Sequence, residues 1–390
     1  MIPYGKHHID EDDIQAVIDI LRSGFLTQGP AVEAFEKALA EYVGVKYAVA
    51  VSSGTASLHL AALAAGVGPG TSVVTSPITF VASANASRYC GGDVLFADID
   101  PETVNMSPDA LREVLLKNSN VKAIIPVHFA GLPCNMIAIK NLADEAGAVV
   151  IEDAAHALGA TYPNGKRVGC CENSLMTIFS FHPVKAIAAG EGGMITTNDE
   201  ATYQKLIRLR SHGINKLDDK FQLPSQAFTN DELNPWYYEM QELGFHFRIT
   251  DIQCALALSQ FKKLNSFIKR RRELVNNYDL AFSAMKKFYP AQTIGRDQSG
   301  HHLYVLRIKF ETTGHSRVKI MQKLKEDGIG TQVHYIPVPM HPYYQKLGHN
   351  MNNYPNAQDY YSQALSIPLF YDLTSDEQKK VIFTIDKIIS

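Results

Sequence analysis

The first 250 residues alternate between short apolar runs and longer stretches whose apolar residues recur at helical spacing. Runs of four or five apolar residues, such as Tyr47–Val51 and Ala148–Ile151, are typical of buried strands. Strands separated by helices indicate βαβ crossovers and a mostly parallel sheet. The other predicted elements here are strands at Ser72–Thr75, Val94–Ala97, Ala123–Pro126, Leu175–Phe181 and Met194–Thr197, and helices at Ile9–Ser23, Val32–Tyr42 and Ala56–Ala65.

The pattern changes after residue 197. Residues 215–243 are polar and aromatic with little periodicity, which predicts a long loop or a hairpin excursion. These patterns predict a large α/β domain over residues 1–250 and a smaller α+β domain over residues 251–390. The elements predicted for the second domain are a long helix from Asp251 to Ala281, a strand at Leu303–Phe310, a helix at Arg317–Asp327 and a terminal helix from Ser375.

Composition narrows the classes of function. The chain has 390 residues, 46% of them hydrophobic, and a formal net charge of -3, so nucleic acid is not expected as its main partner. The short basic run Lys269–Arg272 is expected to cover a helix face. Neither a signal-like apolar segment at Met1–Asp13 nor a stretch of membrane-spanning length is present, which favours a cytoplasmic protein without membrane contact.

Cysteines and histidines give no sign of a disulfide framework or a metal site. The five cysteines show neither paired spacing nor a C-x-x-C motif, so reduced thiols are expected. The pairs His7-His8 and His301-His302 lack the spacing of zinc ligands, and we predict no metal.

Lys185 carries the most informative chemistry of the chain. It follows Ser180 by five positions and lies downstream of Asp153, which ends an apolar run. Pyridoxal phosphate needs such a set: an amine that forms a Schiff base with its aldehyde, a carboxylate that keeps its ring nitrogen protonated, and donors for its phosphate. A lysine by itself is usually a solvated surface residue, so the combination carries the prediction.

Four residues are candidates to bind the phosphate and the ring nitrogen of this cofactor. Gly54 and Thr55 follow a predicted strand and open a helix, where backbone N–H groups attract an anion, although an ordinary helix cap has the same pattern. Ser180 offers a second phosphate contact. Asp153 is expected at the carboxyl edge of a parallel strand, where ligands of open α/β sheets bind, and a helix N-cap is its alternative role.

His156 and Phe80 are weaker candidates. His156 is three residues beyond Asp153 and is placed to hydrogen-bond the phenolate oxygen of the cofactor, whereas simple packing is the common role of such a histidine. Phe80 is a candidate for stacking on the cofactor ring, and a core position is its alternative.

Together these motifs resemble the DegT/DnrJ/StrS family of sugar aminotransferases over nearly the whole chain. The family has fold type I of pyridoxal phosphate enzymes, an aspartate-aminotransferase-like architecture, and works as a homodimer with the active site at the interface. The matching segments are Ser53–Ala56, Pro77–Asn85, Glu152–His156, Ser180–Lys185, Gly190–Gly193, Arg210–Gly213 and Gly244–Arg248.

The resemblance implies a role for each candidate residue. Lys185 would form the Schiff base, Asp153 would bind the pyridine nitrogen, Phe80 would stack on the ring and His156 would lie near the phenolate oxygen. Ser180 with Gly54 and Thr55 would hold the phosphate.

The chain departs from the family pattern at two histidines. His156 stands where much of the family has glutamine, and His246 stands where many members have an asparagine that reaches the phosphate across the dimer interface. That phosphate contact is therefore expected from His246 or Arg248.

Within the family, the chain resembles the branch that acts in pseudaminic acid biosynthesis. This likeness implies L-glutamate as amino donor and the C4 ketone of a UDP-linked 4-keto-6-deoxy-N-acetylhexosamine as acceptor. It implies that the sugar nucleotide lies against Tyr4, Gly24, Phe25, Leu26, Thr27, His334, Tyr335, Ile336 and Pro337. The structural alternatives are an inter-helix turn for residues 24–27 and a strand end for residues 334–337.

Three other functions are compatible with parts of this pattern. One is an aminotransferase for another nucleotide ketosugar, at C3 or C4 and linked to UDP or dTDP. A second, a sugar 3-dehydratase of the same fold, is disfavoured because those enzymes lack the lysine that this chain has at Lys185. The third is a regulator that binds the cofactor or a sugar without catalysis.

Overall fold

A seven-stranded sheet forms the centre of the N-terminal part in the computed structural model, which describes residues 1–216 and 221–389. The strands run in the order β1-β7-β6-β5-β4-β2-β3, and β7 runs antiparallel to the other six. This arrangement confirms the predicted mostly parallel sheet. The strands are β1 Tyr47–Val51, β2 Ser72–Thr75, β3 Asp93–Phe96, β4 Val121–Ile125, β5 Val149–Asp153, β6 Met176–Ser180 and β7 Gly193–Thr197.

Helices cover both faces of this sheet, and local sequence sets their ends. Asp10 and Asp13 form a reciprocal capping box at the start of the first helix, and Gly44 ends the second in the left-handed conformation that glycine adopts without strain. The helices of this part are α1 Glu11–Arg22, α2 Pro30–Val43, α3 Gly54–Ala64, α4 Val81–Tyr89, α5 Pro108–Lys117, α6 Met136–Ala146 and α7 Glu200–Arg210.

The predicted excursion at 215–243 contains short paired segments. Two small antiparallel pairs form there, β9 with β10 and β8 with β11. Residues 217–220 of the predicted excursion lie outside the described residues. The segments are β8 Ile214–Asn215, α8 Pro224–Ala227, β9 Phe228–Thr229, β10 Glu232–Leu233 and β11 Glu239–Met240.

The C-terminal part combines helices with a three-stranded antiparallel sheet, in the order β12-β13-β14. Its elements are α9 Asp251–Lys262, α10 Leu264–Phe282, β12 Phe288–Pro290, β13 Tyr304–Ile308, α11 Arg317–Glu326, α12 Pro342–Lys346, α13 Pro355–Gln363, β14 Ala364–Ile367 and α14 Ser375–Ile389.

Two predictions for this part need correction. The single helix expected from Asp251 to Ala281 is divided at Lys263, whose amine binds the carboxylates of Asp10 and Asp13 at the start of α1. The basic run does not cover one helix face, because Lys269 and Arg272 are exposed whereas Arg271 is buried and donates to the carbonyls of His301, His302 and Leu369.

The first residues of the chain return to its C-terminal part. Ile2 lies in the apolar core formed by α10, α11, α14 and the three-stranded sheet, and its backbone bonds to Gly328 and Gly330. The carbonyl of Tyr4 accepts the N–H of Leu369. The division at residue 250 therefore remains a prediction. Among the described residues, none of the helices is both long and apolar enough to cross a bilayer.

Candidate active site

Lys185 lies in the loop that follows β6. The loop is held by two backbone bonds, from Lys185 N–H to the carbonyl of His182 and from Ala189 N–H to the carbonyl of Phe181. Burial lowers the pKa of Lys185 to about 8, against the opposing effect of the nearby Asp153 carboxylate. The structure thus brings the amine and the carboxylate singled out by the sequence close together.

Asp153 is the last residue of β5, and both of its carboxylate oxygens are held. Oδ2 accepts a bond of 2.6 Å from Ser83 Oγ on α4, and Oδ1 accepts a bond of 3.1 Å from the N–H of Ala155. The described residues 154–175 that follow Asp153 contain no helix, so its alternative role as a helix N-cap is wrong. A buried carboxylate at this sheet edge is well placed for a cationic ring nitrogen.

The turn between β1 and α3 meets Ser180 at the end of β6. A Cβ atom on Gly54 would lie 2.8 Å from Ser180 Cβ, so only glycine allows this approach. Ser53 caps α3 through a bond from Ala56 N–H to its hydroxyl, so the turn is a helix cap as well as a candidate phosphate site. Thr55 stands in the same first turn, where helix N–H groups favour an anion.

His246 and Arg248 flank this turn. The carbonyl of Phe247 between them accepts the N–H of Ser52 at 2.9 Å. His246 is exposed, with its ring centroid 5.4 Å from that of His212. The Nε of Arg248 is buried and has no hydrogen-bond partner among the described residues. The main chain between His246 and Arg248 therefore lies beside the candidate phosphate site of the same chain.

His156 is buried between other rings beside Lys185. Its Nε2 lies 3.0 Å from the hydroxyl of Tyr335, and its ring centroid lies 4.3 Å from that of His302. Burial, with Lys185 and His334 nearby, lowers the pKa of His156 well below its usual value, so the ring is neutral at neutral pH. Its Nδ1 is buried and has no partner in the described part of the chain, which leaves one nitrogen available to a ligand.

The segment 334–337 and the N-terminal Tyr4 converge on the same place. The rings of Tyr4 and His334 lie 5.3 Å apart, and His334 Nδ1 lies 2.8 Å from Ser366 Oγ. Burial and the nearby Lys185 lower the pKa of His334 to about 4. Ile336 is exposed and Pro337 is buried at the end of the segment.

Phe80 and the 24–27 turn have different surroundings. The Phe80 ring is 57% exposed and lies 6.2 Å from the Tyr335 ring, so its alternative role as a core residue is wrong. In the 24–27 turn, Phe25 and Leu26 are exposed and Thr27 pairs with Thr250. Within the described residues, no hydrogen bond or ion pair joins Gly24–Thr27 to Lys185 and its neighbours.

Two residues of this site were not singled out from the sequence. Ser83 lies inside a recognised motif, but its bond to Asp153 spans 70 positions of the chain. His302 was considered only as part of a weak metal signal, and the structure places its buried ring against His156. No group of three or more metal-binding side chains occurs among residues 1–216 and 221–389.

The residues present fit pyridoxal phosphate. Lys185 supplies an amine of lowered pKa, Asp153 a held carboxylate, and Gly54 with Ser180 a narrow approach at a helix N-terminus. The buried Nδ1 of His156 is an unsatisfied polar atom of the kind that a ligand oxygen would satisfy.

Comparison with known proteins decides the family. The sequence profile of the DegT/DnrJ/EryC1/StrS aminotransferase family matches residues 7–386. The chain belongs to this family. It is a pyridoxal-phosphate-dependent sugar aminotransferase, which uses a nucleotide sugar and an amino donor, and the predicted family, fold class and cofactor are confirmed.

Three relatives illustrate the likeness. The spore coat polysaccharide biosynthesis protein SpsC of Bacillus subtilis is 40% identical over 391 residues, which cover 100% of this chain and 97% of that protein. The UDP-4-amino-4,6-dideoxy-N-acetyl-β-L-altrosamine transaminase of Campylobacter jejuni is 36% identical over 390 residues, which cover 100% of this chain and 98% of that protein. The solved structure of the PMP form of the putative sugar aminotransferase Spr1654 of Streptococcus pneumoniae aligns with a TM-score of 0.88 and 29% identity. The alignment covers 100% of this chain and 99% of that protein.

Proposed function

We propose that this aminotransferase transfers the amino group of L-glutamate to the C4 ketone of a UDP-linked 4-keto-6-deoxy-N-acetylhexosamine, as in pseudaminic acid biosynthesis. The observation that carries this proposal is the full-length similarity to the Campylobacter transaminase, 36% identical, whose name specifies UDP, an amino group at C4 and an N-acetylated altrosamine. The proposal includes a cytoplasmic location, which the five free cysteines support.

The side chains around Lys185 support the chemistry. When bound, the cofactor supplies an aldehyde for the amine and an electron-withdrawing ring. Lys185 would hold it covalently and then move a proton as general acid and base, for which a pKa of about 8 is well suited near neutral pH. Asp153 would hold the positive charge of the ring nitrogen, and His156 would hydrogen-bond the phenolate oxygen through Nδ1.

The remaining contacts of the cofactor are assigned in the same way. Ser180, Gly54 and Thr55 would bind the phosphate, with His246 or Arg248 adding a contact. Phe80 is free to stack on the ring because its side chain is exposed beside the site.

Residues from both ends of the chain support a sugar site. Tyr4 and His334 contact each other, and Tyr335 of the same segment bonds to His156 on the cofactor side. Together with Ile336, Pro337 and the exposed turn Gly24–Thr27, they would surround the nucleotide sugar.

A homodimer is part of the proposal. Exposed apolar side chains cluster in the excursion, where Trp236 and Leu243 are 73% and 76% exposed. Nearby, Phe245 and Phe247 line a surface cavity of about 410 Å³ beside the phosphate turn. Large exposed apolar areas of this kind mark protein interfaces. Sedimentation of the purified protein tests this, and a monomer at micromolar concentration would contradict it.

A second candidate is an aminotransferase for a different nucleotide ketosugar. The similarity to SpsC, at 40% identity, favours this candidate as much as the first, because the name of that protein specifies a polysaccharide and not a sugar.

A panel of acceptors separates the two candidates. Purified enzyme is incubated with glutamate and, separately, with UDP-linked 4-keto, UDP-linked 3-keto and dTDP-linked 4-keto sugars, and the aminated product is measured by mass spectrometry. We expect kcat/KM to be at least about tenfold higher for the UDP-linked 4-keto-N-acetylhexosamine than for the others. A preference for another sugar by a similar factor would establish the second candidate.

A further inference from the structure

Glu152 stands directly before Asp153 in β5 and carries a separate hydrogen-bond network. Successive side chains of a strand point to opposite faces, so the two carboxylates lie on opposite sides of the sheet. Glu152 is fully buried. Its carboxylate accepts bonds from His128 Nε2 at 2.7 Å, Tyr162 Oη at 2.5 Å, Ser174 Oγ at 2.5 Å and Thr177 Oγ1 at 3.0 Å.

This network keeps Glu152 ionised inside the protein. Burial raises the pKa of Glu152, but the bonds from His128, Ser174 and Tyr162 together lower it below the usual value. A buried ionic network of this kind adds little stability compared with well-packed apolar side chains. Val150, two residues earlier on the same face of β5, is apolar and buried, so this face accommodates apolar packing. Stability alone therefore does not explain the carboxylate.

His128 connects the network to Asp153. Its backbone N–H donates to the carbonyl of Asp153 at 3.0 Å, while its Nε2 donates to Glu152. Its Nδ1 accepts the N–H of Cys134 at 3.1 Å, so the proton that His128 donates to Glu152 resides on Nε2. The end of β5 is thereby fixed through the main chain of Asp153 and the side chain of its neighbour.

We infer that Glu152 and His128 are positioning residues, which hold Asp153 where its carboxylate meets the ring nitrogen of the cofactor. The inference rests on the proposed role of Asp153. Ser83 and the N–H of Ala155 orient the Asp153 carboxylate, and the Glu152 network fixes the strand end that carries it. Displacement of that strand end moves the carboxylate away from the ring nitrogen without removing it.

The test is Glu152→Gln, measured on the cofactor itself. The N–H₂ group of the new amide faces hydrogen-bond donors and cannot accept from them. His128 cannot turn its Nε2 into an acceptor by changing its tautomer, because Cys134 donates to Nδ1. We expect cofactor affinity to fall about tenfold, equal to about 1.4 kcal/mol. We also expect the pH midpoint of the visible band of the bound cofactor to rise by about one unit. Once the Asp153 carboxylate is displaced, the ring nitrogen of the cofactor loses its proton and its positive charge. A positive charge at the other nitrogen, the one joined to Lys185, is then less disfavoured, so the midpoint rises.

Val150→Ala is the matched control. It removes buried apolar atoms from the same face of β5 and leaves the network intact, so it should lower the melting temperature without changing the midpoint. Thr177→Val removes only one donor to Glu152 and is expected to raise the pH midpoint by less than Glu152→Gln does. This variant keeps the test decisive if Glu152→Gln does not fold.

Three results would overturn the inference, and they are distinguishable. If Glu152→Gln and Thr177→Val lower stability but keep the midpoint and affinity of the wild type, the network is only structural. If Asp153→Asn also leaves the midpoint unchanged, the proposed role of Asp153 fails and the inference fails with it. A shift caused equally by Val150→Ala would likewise assign the effect to general packing.

Discussion

Lys185 links the chemistry of the site to pH. Its pKa is lowered from 10.5 to about 8, mainly by burial. Between these values the unfolded chain binds more protons at this residue than the folded protein does, so its contribution to the stability of the cofactor-free protein rises with pH. Below a pH of about 8 the amine is protonated in the folded protein as well, so the full free-energy cost of its buried charge is present.

The comparison with Lys185→Met isolates this effect. We expect the cofactor-free variant to be more stable than the wild type at neutral pH, and the difference to shrink as pH rises from about 8 toward 10.5. Urea unfolding of both proteins across this range measures it. A difference that stays constant with pH would show that the amine is not buried as described.

Gly54 is the residue on which the candidate phosphate site depends most directly. A Cβ atom at this position would lie 2.8 Å from Ser180 Cβ and 3.0 Å from its hydroxyl oxygen, so Gly54→Ala must move the turn or the strand end. We expect its affinity for pyridoxal phosphate to fall at least about tenfold. Ser53→Ala is a control that removes the helix cap but adds no atom; fluorescence titration of the apoproteins compares them. Equal losses in both variants would assign the effect to helix stability.

The sequence motifs predicted the residues at the centre of the site better than they predicted the residues that support this centre. Lys185 and Asp153 could be predicted because an amine, a carboxylate and a phosphate turn at strand ends are together typical of a pyridoxal phosphate site. Ser83, His302 and His128 act through contacts across 24 or more positions of the chain, for which one sequence offers no periodic signal.

At the scale of elements, Asp251 joins two helices and the 24–27 turn. Its carboxylate accepts the N–H groups of Gly29 and Ala31 at 2.8 and 3.0 Å, at the start of α2, where Gly29 provides no side-chain cap. Its own N–H donates to the carbonyl of Leu26. Loss of such a cap costs about 0.5–2 kcal/mol.

We therefore expect Asp251→Ala to lower stability by about 1–2 kcal/mol and to raise KM for the sugar, because the turn next to it loosens. Asp251→Asn keeps an acceptor oxygen and should have a smaller effect. Urea unfolding and steady-state kinetics of the two variants measure both quantities. An unchanged sugar KM in a destabilised Asp251→Ala would remove the 24–27 turn from the sugar site.

The seven strands of the large sheet were predicted within two residues of their positions because buried strands leave continuous apolar runs, whereas β12 and β14 were not predicted. The helices α9 and α10 were predicted as one, since both segments have helical spacing and the sequence does not reveal the contact of Lys263, at the break, with Asp10 and Asp13. That contact joins positions about 250 residues apart and has no local signature.

At the scale of the whole molecule, the two ends of the chain meet beside Lys185. Ile2 belongs to the C-terminal core, and Tyr4 contacts His334. We expect Tyr4→Ala to raise the sugar KM about tenfold or more and to leave the reaction with glutamate nearly unchanged. The sugar KM of Tyr4→Phe should lie between the values of the wild type and Tyr4→Ala. Stopped-flow absorbance with glutamate alone, together with steady-state kinetics, separates the half-reactions. Equal impairment of both would place Tyr4 on the cofactor instead.

The sequence predicted the sheet and the family of the whole molecule, but the meeting of its two ends was expected only through the resemblance. The residues that join the ends, such as Ile2 and Gly330, are ordinary in sequence and acquire meaning only through pairing across the chain.

One isotope experiment tests the central claim most directly. Enzyme is incubated with ¹⁵N-glutamate and the UDP-linked 4-keto-6-deoxy-N-acetylhexosamine, and the position of the label in the product is read by NMR. We predict ¹⁵N bonded to C4 over many turnovers in the wild type and no turnover in Lys185→Ala, which should still fold. Absence of label at C4 in the wild type, or repeated turnover by Lys185→Ala, would contradict the claim.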